Sequence, residues 1–110
     1  MPLPATNRLP LRKERDRLTR EGKPFHTHHL TLVMAPTTSS IPRFSILLSK
    51  KTAKLAVDRN RIKRVTSAIL AELLPSLPPA DYLIIPKRSV LDTPHSDLLS
   101  DLASLLPKLK

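Results

Sequence analysis

The sequence predicts a small α+β domain in which helices pack against a single β-sheet. Its 110 residues fit one domain, spanning 1–110. Apolar residues recur at helical spacing in three stretches, and three shorter apolar stretches between them indicate strands. The predicted order is helix, strand, strand, helix, strand, helix, and the predicted architecture is a two-layer sandwich.

The N-terminal part begins with a predicted extended arm over residues 1–10, which contain three prolines. Residues 11–21 are a charged helix candidate in which Leu11 and Leu18 share one face. Gly22 is the only glycine in the chain, and it stands where a helix is often closed by a residue in the left-handed conformation.

Three strands are predicted after this helix. Residues 30–34 and 43–48 are expected to pair antiparallel through the polar loop at 35–42. The third strand, residues 81–85, is apolar enough to occupy a central position in the sheet. A strand–helix–strand unit therefore runs from 43 to 85, and the usual rule makes its crossover right-handed.

The longest predicted helix runs from about residue 56 to residue 74, and Pro75 ends it. Asp58 is its predicted N-cap, because the carboxylate can accept hydrogen bonds from backbone N–H groups of the first turn. Its apolar stripe consists of Ile62, Val65, Ile69 and Leu73.

The last helix is predicted to have Thr93 as its N-cap and Pro94 in its first turn. Leucines at helical spacing form its apolar stripe: Leu98, Leu102, Leu105 and Leu109.

The net charge of +10 is concentrated in the first part of the chain. Residues 43–64 hold eight Lys and Arg against one acid, and residues 1–42 hold seven against three. Residues 65–110 hold four against five. Cations gathered in one part of a chain indicate a face that binds a polyanion.

The segment Arg59–Arg64 is the centre of this charge, since four of its six residues are cationic. Ile62 would anchor it to the core. A helix N-terminus presents unpaired N–H groups, and guanidinium groups beside it bind phosphate through parallel hydrogen bonds. A solvated charged helix is the simpler interpretation, but such faces usually carry interleaved acids, and this segment carries none.

Other kinds of site have little support in the sequence. The absence of cysteine excludes disulfides, thiolate metal sites and a cysteine nucleophile. No acid–base pair suited to hydrolysis is recognisable, so no catalytic residue is predicted. His26, His28 and His29 lack a further ligand at recognisable spacing and are interpreted as surface histidines, so no metal site is predicted. Without a membrane span or signal-peptide core, a cytoplasmic location is expected.

The residue spacing resembles the signature of the bacterial ribonuclease P protein subunit. The resemblance is carried by Ser49-Lys50-Lys51, Ala56 and Arg59-Asn60-Arg61-Ile62-Lys63-Arg64, and it extends to Asn7-Arg8-Leu9, Gly22-Lys23 and Pro78-Pro79-Ala80-Asp81-Tyr82. It implies a ribosomal protein S5 domain 2-like fold with a four-stranded sheet, and hence one more short strand. It also implies a left-handed crossover, against the usual rule.

The resemblance further implies a subunit of the ribonucleoprotein endonuclease that removes the 5′ leader of precursor tRNA. The catalytic RNA, with the Mg2+ that it binds, would cut the phosphodiester, and no cofactor is expected on the protein. Contacts to the catalytic RNA carry over to Lys50, Lys51, Lys54, Arg59, Asn60, Arg61, Lys63 and Arg64. Contacts to the leader, in a cleft between the first helix and the sheet, carry over to Arg8, Lys13 and Arg15.

Two departures from the family pattern bear on this expected site. Arg15 and Thr19 stand where the family usually has aromatic side chains in the leader cleft, so leader binding would depend more on charge. One extra residue lies between Ser49 and Arg59, and Thr52-Ala53 lacks the glycine that many members have.

Two other functions stay open on the sequence alone. A purely structural ribosomal or RNA-assembly protein would share the basic helix and the small α+β fold. A DNA-binding protein could read a major groove with Asn60 and Arg61. Membrane association and an obligate protein partner are not predicted.

Overall fold

The structure is a computed structural model that describes residues 11–37, 40–48 and 50–109, and in residues 11–15 the backbone only. Its elements in chain order are α1 (Leu11–Glu21), β1 (Lys23–His26), β2 (Leu30–Ala35), β3 (Arg43–Ile46), α2 (Ala56–Leu73), β4 (Asp81–Pro86), α3 (His95–Ala103) and α4 (Leu106–Leu109). The α+β class is confirmed, and the six predicted elements follow one another as predicted, but the structure adds β1 after α1 and divides the last helix into α3 and α4. The predicted arm, residues 1–10, lies outside the described residues.

The four strands form one sheet in the order β1-β2-β4-β3. β2 pairs antiparallel with β1 and β4, whereas β3 pairs parallel with β4. The central position predicted for the strand at 81–85 is therefore confirmed. The predicted pairing of β2 with β3 is wrong, because the more apolar β4, buried at five of its six positions, lies between them.

β1 is the strand that the residue pattern missed, although the resemblance implied a fourth one. Its sequence, Lys-Pro-Phe-His, is too polar to predict a strand, and three of its four residues are exposed. Pro24 lacks a backbone N–H and is tolerated because β1 is an edge strand with β2 on one side only.

The predicted strand–helix–strand unit is confirmed, since α2 connects the parallel neighbours β3 and β4. The left-handed sense of this crossover, which the resemblance implied, stays a prediction. In the described ranges, no helix is long and apolar enough to cross a lipid bilayer.

The two faces of the sheet are covered unequally. The main core lies between one face and α2, α3 and α4, and its fully buried side chains include Leu32, Ile62, Leu70, Ile84, Leu98 and Leu102. On the opposite face, Leu18 of α1 packs against Ala35 and Leu83. Val33, Leu47 and Ile85 border this smaller cluster and are only half-buried. This face of the sheet is therefore only partly covered by α1.

Gly22 ends α1 for a different reason from the one predicted. No glycine in the described residues has a positive φ, so the left-handed closure is wrong. Instead, the Gly22 N–H donates to the Leu18 carbonyl (2.8 Å), and a Cβ at position 22 would collide with that carbonyl oxygen and with the Val33 side chain. Glycine is required here by the close approach of α1 to β2.

Gly22→Ala is expected to lower the free energy of unfolding by about 1–3 kcal/mol, because the added methyl group must push α1 away from β2. Thermal or chemical denaturation measures the change. Asp16→Ala, at an exposed position of the same helix, is the control and is expected to change stability little. Equal stabilities of the two variants would contradict this account of Gly22.

Two predicted helix caps are corrected. α2 begins after Leu55, which makes no side-chain capping bond, and Asp58 lies within the first turn. There the carboxylate complements the positive end of the helix dipole. α3 has Pro94 as its N-cap, whereas Thr93 donates its hydroxyl hydrogen to the Ser89 carbonyl (2.7 Å).

The last predicted helix is divided into α3 and α4, although its leucine stripe is confirmed. Pro107 cannot donate the hydrogen bond that a continuous helix needs, and it is accommodated in the first turn of α4. The four leucines of the stripe still reach the core and are at most 5% exposed: Leu98, Leu102, Leu105 and Leu109.

A buried carboxylate connects three elements at one end of the sheet. The Asp81 side chain on β4 is fully buried and accepts two hydrogen bonds from Arg43 on β3, both 2.9 Å long. It also forms an ion pair with Arg17 of α1, which donates a second bond to the Pro36 carbonyl (2.9 Å). This ion-pair cluster fixes the position of α1 over the sheet.

Tyr82, the next residue of β4, explains the proline-rich approach to that strand. Its hydroxyl donates to the Pro78 carbonyl (2.6 Å), and its ring stacks on Phe44 with 5.1 Å between centroids. Burial raises the pKa of Tyr82 to about 12, so the hydroxyl remains a donor at physiological pH.

A second carboxylate attaches the β1–β2 turn to α3. Asp101 accepts hydrogen bonds from the backbone N–H groups of His28 (3.2 Å) and His29 (3.0 Å). Burial alone would raise the pKa of Asp101, but these bonds and one from Thr27 outweigh it and hold the pKa below its usual value. α3, which carries Asp101, thus holds the turn that precedes β2.

Candidate nucleic-acid interface

The eight residues predicted to contact RNA lie on the segment that leads into α2 and on its first turns. We call this set the cationic surface: Lys50, Lys51, Lys54, Arg59, Asn60, Arg61, Lys63 and Arg64. Six of the eight are exposed, and only Arg59 and Lys63 are half-buried. Ile62, between them, is completely buried, so the core holds this surface in place as predicted.

Arg59 has a structural role in addition to its charge. Its guanidinium group donates to the carbonyl oxygens of Ala53 (2.9 Å) and Lys54 (2.8 Å). Because Ala53 is itself buried, these two bonds fix the segment before α2 against the helix. The remaining donors of the guanidinium group can still bind a phosphate.

Unlike the Arg59 guanidinium group, the side chains of Arg61, Lys63 and Arg64 form no hydrogen bond or ion pair with any of the described residues. Arg61 and Arg64 line a cleft of about 330 Å³ together with Val65, Ala68 and His95 of α3. Cations that are not neutralised from within the fold keep their full attraction for an external anion.

His95 is a residue of this region that sequence reasoning missed. It lies at the start of α3, and its Nε2 is 3.1 Å from Glu72 of α2. No local motif places His95 beside Arg61 and Arg64; only the packing of α3 on α2 does so.

The predicted leader-binding residues are placed less completely. Arg8 lies outside the described residues, and Lys13 and Arg15 belong to the part of α1, residues 11–15, of which only the backbone is described. α1 lies on the partly covered face of the sheet, whose half-buried residues include Val33 and Ile85. Thr19, at one of the two positions where the resemblance implies an aromatic side chain, is exposed.

The three neighbouring histidines do not share a strand, because β1 ends at His26 and β2 begins at Leu30. His26 contacts the Thr31 hydroxyl through Nδ1 (3.1 Å), and His29 contacts the Ser89 hydroxyl through Nδ1 (2.8 Å). Among the residues that the structure describes, no three His, Asp or Glu side chains are grouped as metal ligands.

Comparison with known proteins identifies the family of this chain. A sequence model of the ribonuclease P family matches residues 3–110. The chain belongs to the ribonuclease P protein family. The ribonuclease P protein component of Microcystis aeruginosa is 35% identical to it over 98% of this chain and 94% of that protein. The corresponding protein of Idiomarina loihiensis is 36% identical over 76% of this chain.

Solved structures of ribonuclease P proteins have the same fold. The protein from Thermotoga maritima superposes with a TM-score of 0.84, covering 94% of this chain and 97% of that one at 21% identity. A Staphylococcus aureus ribonuclease P protein superposes with a TM-score of 0.80 at 20% identity. The fold of this chain is therefore that of ribonuclease P proteins, as the resemblance implied.

Proposed function

We propose that this chain binds the catalytic RNA of ribonuclease P through the cationic surface and assists removal of the 5′ leader from precursor tRNA. The observation that supports this most is the free charge of Arg61, Lys63 and Arg64, which form no ion pair with a described residue. Guanidinium and ammonium groups there would neutralise phosphates of a folded RNA and reduce repulsion between two polyanions.

In this proposal the RNA carries the active site, and the protein contributes binding and orientation. Mg2+ held by the RNA would stabilise the charge that develops at the cleaved phosphodiester. The described residues of the protein offer no group of three ligands for such an ion, and no step is assigned to a protein-bound metal.

The leader would lie between α1 and the partly covered face of the sheet. Lys13 and Arg15 on α1, with Arg8 before it, are the proposed phosphate contacts. Because the cleft has Arg15 and Thr19 in place of aromatic rings, it lacks base stacking worth about 1–3 kcal/mol per base at those positions. Leader binding is therefore proposed to be more dependent on charge than in relatives with rings there.

Reconstitution tests the proposal directly. The protein is mixed with a bacterial ribonuclease P RNA and precursor tRNA, and the Mg2+ concentration needed for cleavage is measured with and without protein. We expect the protein to lower that concentration. RNA binding without any change in the Mg2+ requirement would instead indicate a purely structural RNA-assembly protein.

The salt dependence of leader binding is a second measurement. If six phosphates are engaged, the affinity for a single-stranded leader is expected to fall with a log–log salt slope of roughly −4. Fluorescence anisotropy with a labelled oligonucleotide, measured between low and physiological salt, gives the slope. A slope near zero would show that charge does not drive the interaction.

A further inference from the structure

Two large aliphatic side chains are exposed at the start of α2. Leu55 is 62% exposed and Val57 is 66% exposed, and among the described residues the only other exposed large hydrophobic side chain is Ile41, at 38%. A single exposed aliphatic residue on a protein surface needs no explanation. Here Leu55, Ala56 and Val57 are three consecutive exposed apolar residues at the start of a helix, and we call the surface that they present the Leu55–Val57 patch.

This patch is held rigidly. Leu55 is the N-cap residue of α2, with extended backbone (φ −82°, ψ 134°), and its carbonyl accepts a hydrogen bond from the Arg59 N–H (3.1 Å). The Arg59 guanidinium group donates to the carbonyls of Ala53 and Lys54, the two residues before Leu55. Val57 belongs to the first turn of the helix. The backbone that carries the two side chains is therefore preformed, and a partner does not have to order it.

The charges around the patch determine what can cover it. Lys50, Lys51 and Lys54 precede it and Arg61 follows it, all of them exposed, whereas Asp58 is the one acid in this segment and is half-buried. An apolar protein surface placed here would have to desolvate these cations. A nucleotide can cover the patch without leaving these cations unpaired. The apolar faces of its unstacked base and its ribose are flanked by phosphates, which pair with cations.

We propose that the Leu55–Val57 patch packs against an unpaired nucleotide of the catalytic RNA. This inference rests on the proposed function and adds to it an apolar centre within the cationic surface. Arg59 acts as a positioning residue for this contact, since its guanidinium group fixes the backbone that presents Leu55. Protein interfaces commonly have this arrangement of an apolar centre and a charged rim.

The test uses Leu55→Ser, Val57→Ser and the double variant in the full-length protein. Serine is a favourable N-cap residue, so Leu55→Ser is not expected to weaken α2. The dissociation constant for ribonuclease P RNA is measured over a series of KCl concentrations. We expect roughly tenfold weaker binding by the double variant at each concentration, since two apolar contacts are lost. We also expect an unchanged log–log salt slope, because no phosphate contact is removed.

Two further variants serve as controls. Ile41→Ser changes the third exposed aliphatic side chain, which lies outside the patch, and is expected to leave RNA binding unchanged. Arg61→Ala is expected to weaken binding and also to make the salt slope shallower by about 0.7–0.9, as the loss of one phosphate contact does. Melting curves of all variants verify that each is folded.

The possible failures are distinguishable. Absence of RNA binding by the wild-type protein would refute the proposed function itself. Wild-type affinity in the double variant would refute only the inference about the patch. A shallower salt slope in the double variant would mean that the substitutions disturb the cations instead. Loss of a wild-type dimer in sedimentation experiments, with unchanged RNA affinity, would assign the patch to contact between copies of this chain and overturn the proposal.

Discussion

Replacing Asp81 by asparagine is expected to lower the free energy of unfolding by about 3 kcal/mol. The Asp81 side chain is completely buried between Arg17 and Arg43, whose side chains are 25% and 28% exposed. A neutral amide cannot compensate two guanidinium groups, and it can accept only through one oxygen. Urea denaturation measures the loss. The matched control is Asp92→Asn at an exposed carboxylate, which is expected to change stability by less than about 0.5 kcal/mol.

The same carboxylate makes stability depend on pH. Burial alone would raise the pKa of Asp81, but hydrogen bonds from Arg43, Arg17 and Thr37 outweigh it and hold the pKa below its usual value of 3.8. A carboxyl group with a lowered folded-state pKa stabilises the fold above its unfolded pKa, and the contribution is lost as the pH falls through the folded pKa. The stability difference between the wild type and Asp81→Asn should therefore shrink below a pH of about 4. A difference that stays constant from pH 7 to pH 3 would contradict this.

The double substitution Arg59→Ala with Arg61→Ala is expected to weaken assembly with ribonuclease P RNA by about a hundredfold at low Mg2+. Arg61 has no ion pair with a described residue. Its replacement therefore removes a contact with an RNA phosphate and breaks no ion pair within the described part of the protein. Removal of Arg59 also releases the carbonyls of Ala53 and Lys54, which loosens the segment that carries Lys54. Filter binding or a mobility-shift titration measures the change.

Lys108→Ala is the control for this pair, since Lys108 is an exposed cation on α4, outside the cationic surface. We expect it to keep nearly wild-type affinity. High Mg2+ should partly restore assembly of the double variant, because the RNA then needs less neutralisation by protein. Unchanged assembly of the double variant at low Mg2+ would refute the cationic surface as the RNA contact.

The features predicted correctly from the sequence depend on apolar periodicity. Ile62 and Ile69 are buried as the spacing of α2 indicated, and the apolar run at 81–85 is the centre of the sheet. These signals are local, because the side chains that share a face are fixed by helix or strand geometry alone.

The features that were missed depend on contacts between distant segments. The residues of β1 do not favour a strand by themselves. β1 is a strand because it pairs with the edge of β2 that would otherwise be unpaired. Nothing near Arg17 in the sequence distinguishes it from the other arginines of α1, yet Asp81, 64 positions away, makes it structural. His95 joins the cleft at Arg61 in the same way. The charges of the site were therefore predictable, whereas their division into structural and free cations was not.

The strand order also determines when the chain can fold during its synthesis. β3 has no neighbour in the sheet until β4 has been made, because β4 separates it from β2. The turn before β2 gains its partner Asp101 later still. The basic start of α2 thus leaves the ribosome before its supporting sheet is complete, close to ribosomal RNA that is itself a polyanion. Folding is expected to be completed only after nearly the whole chain has emerged.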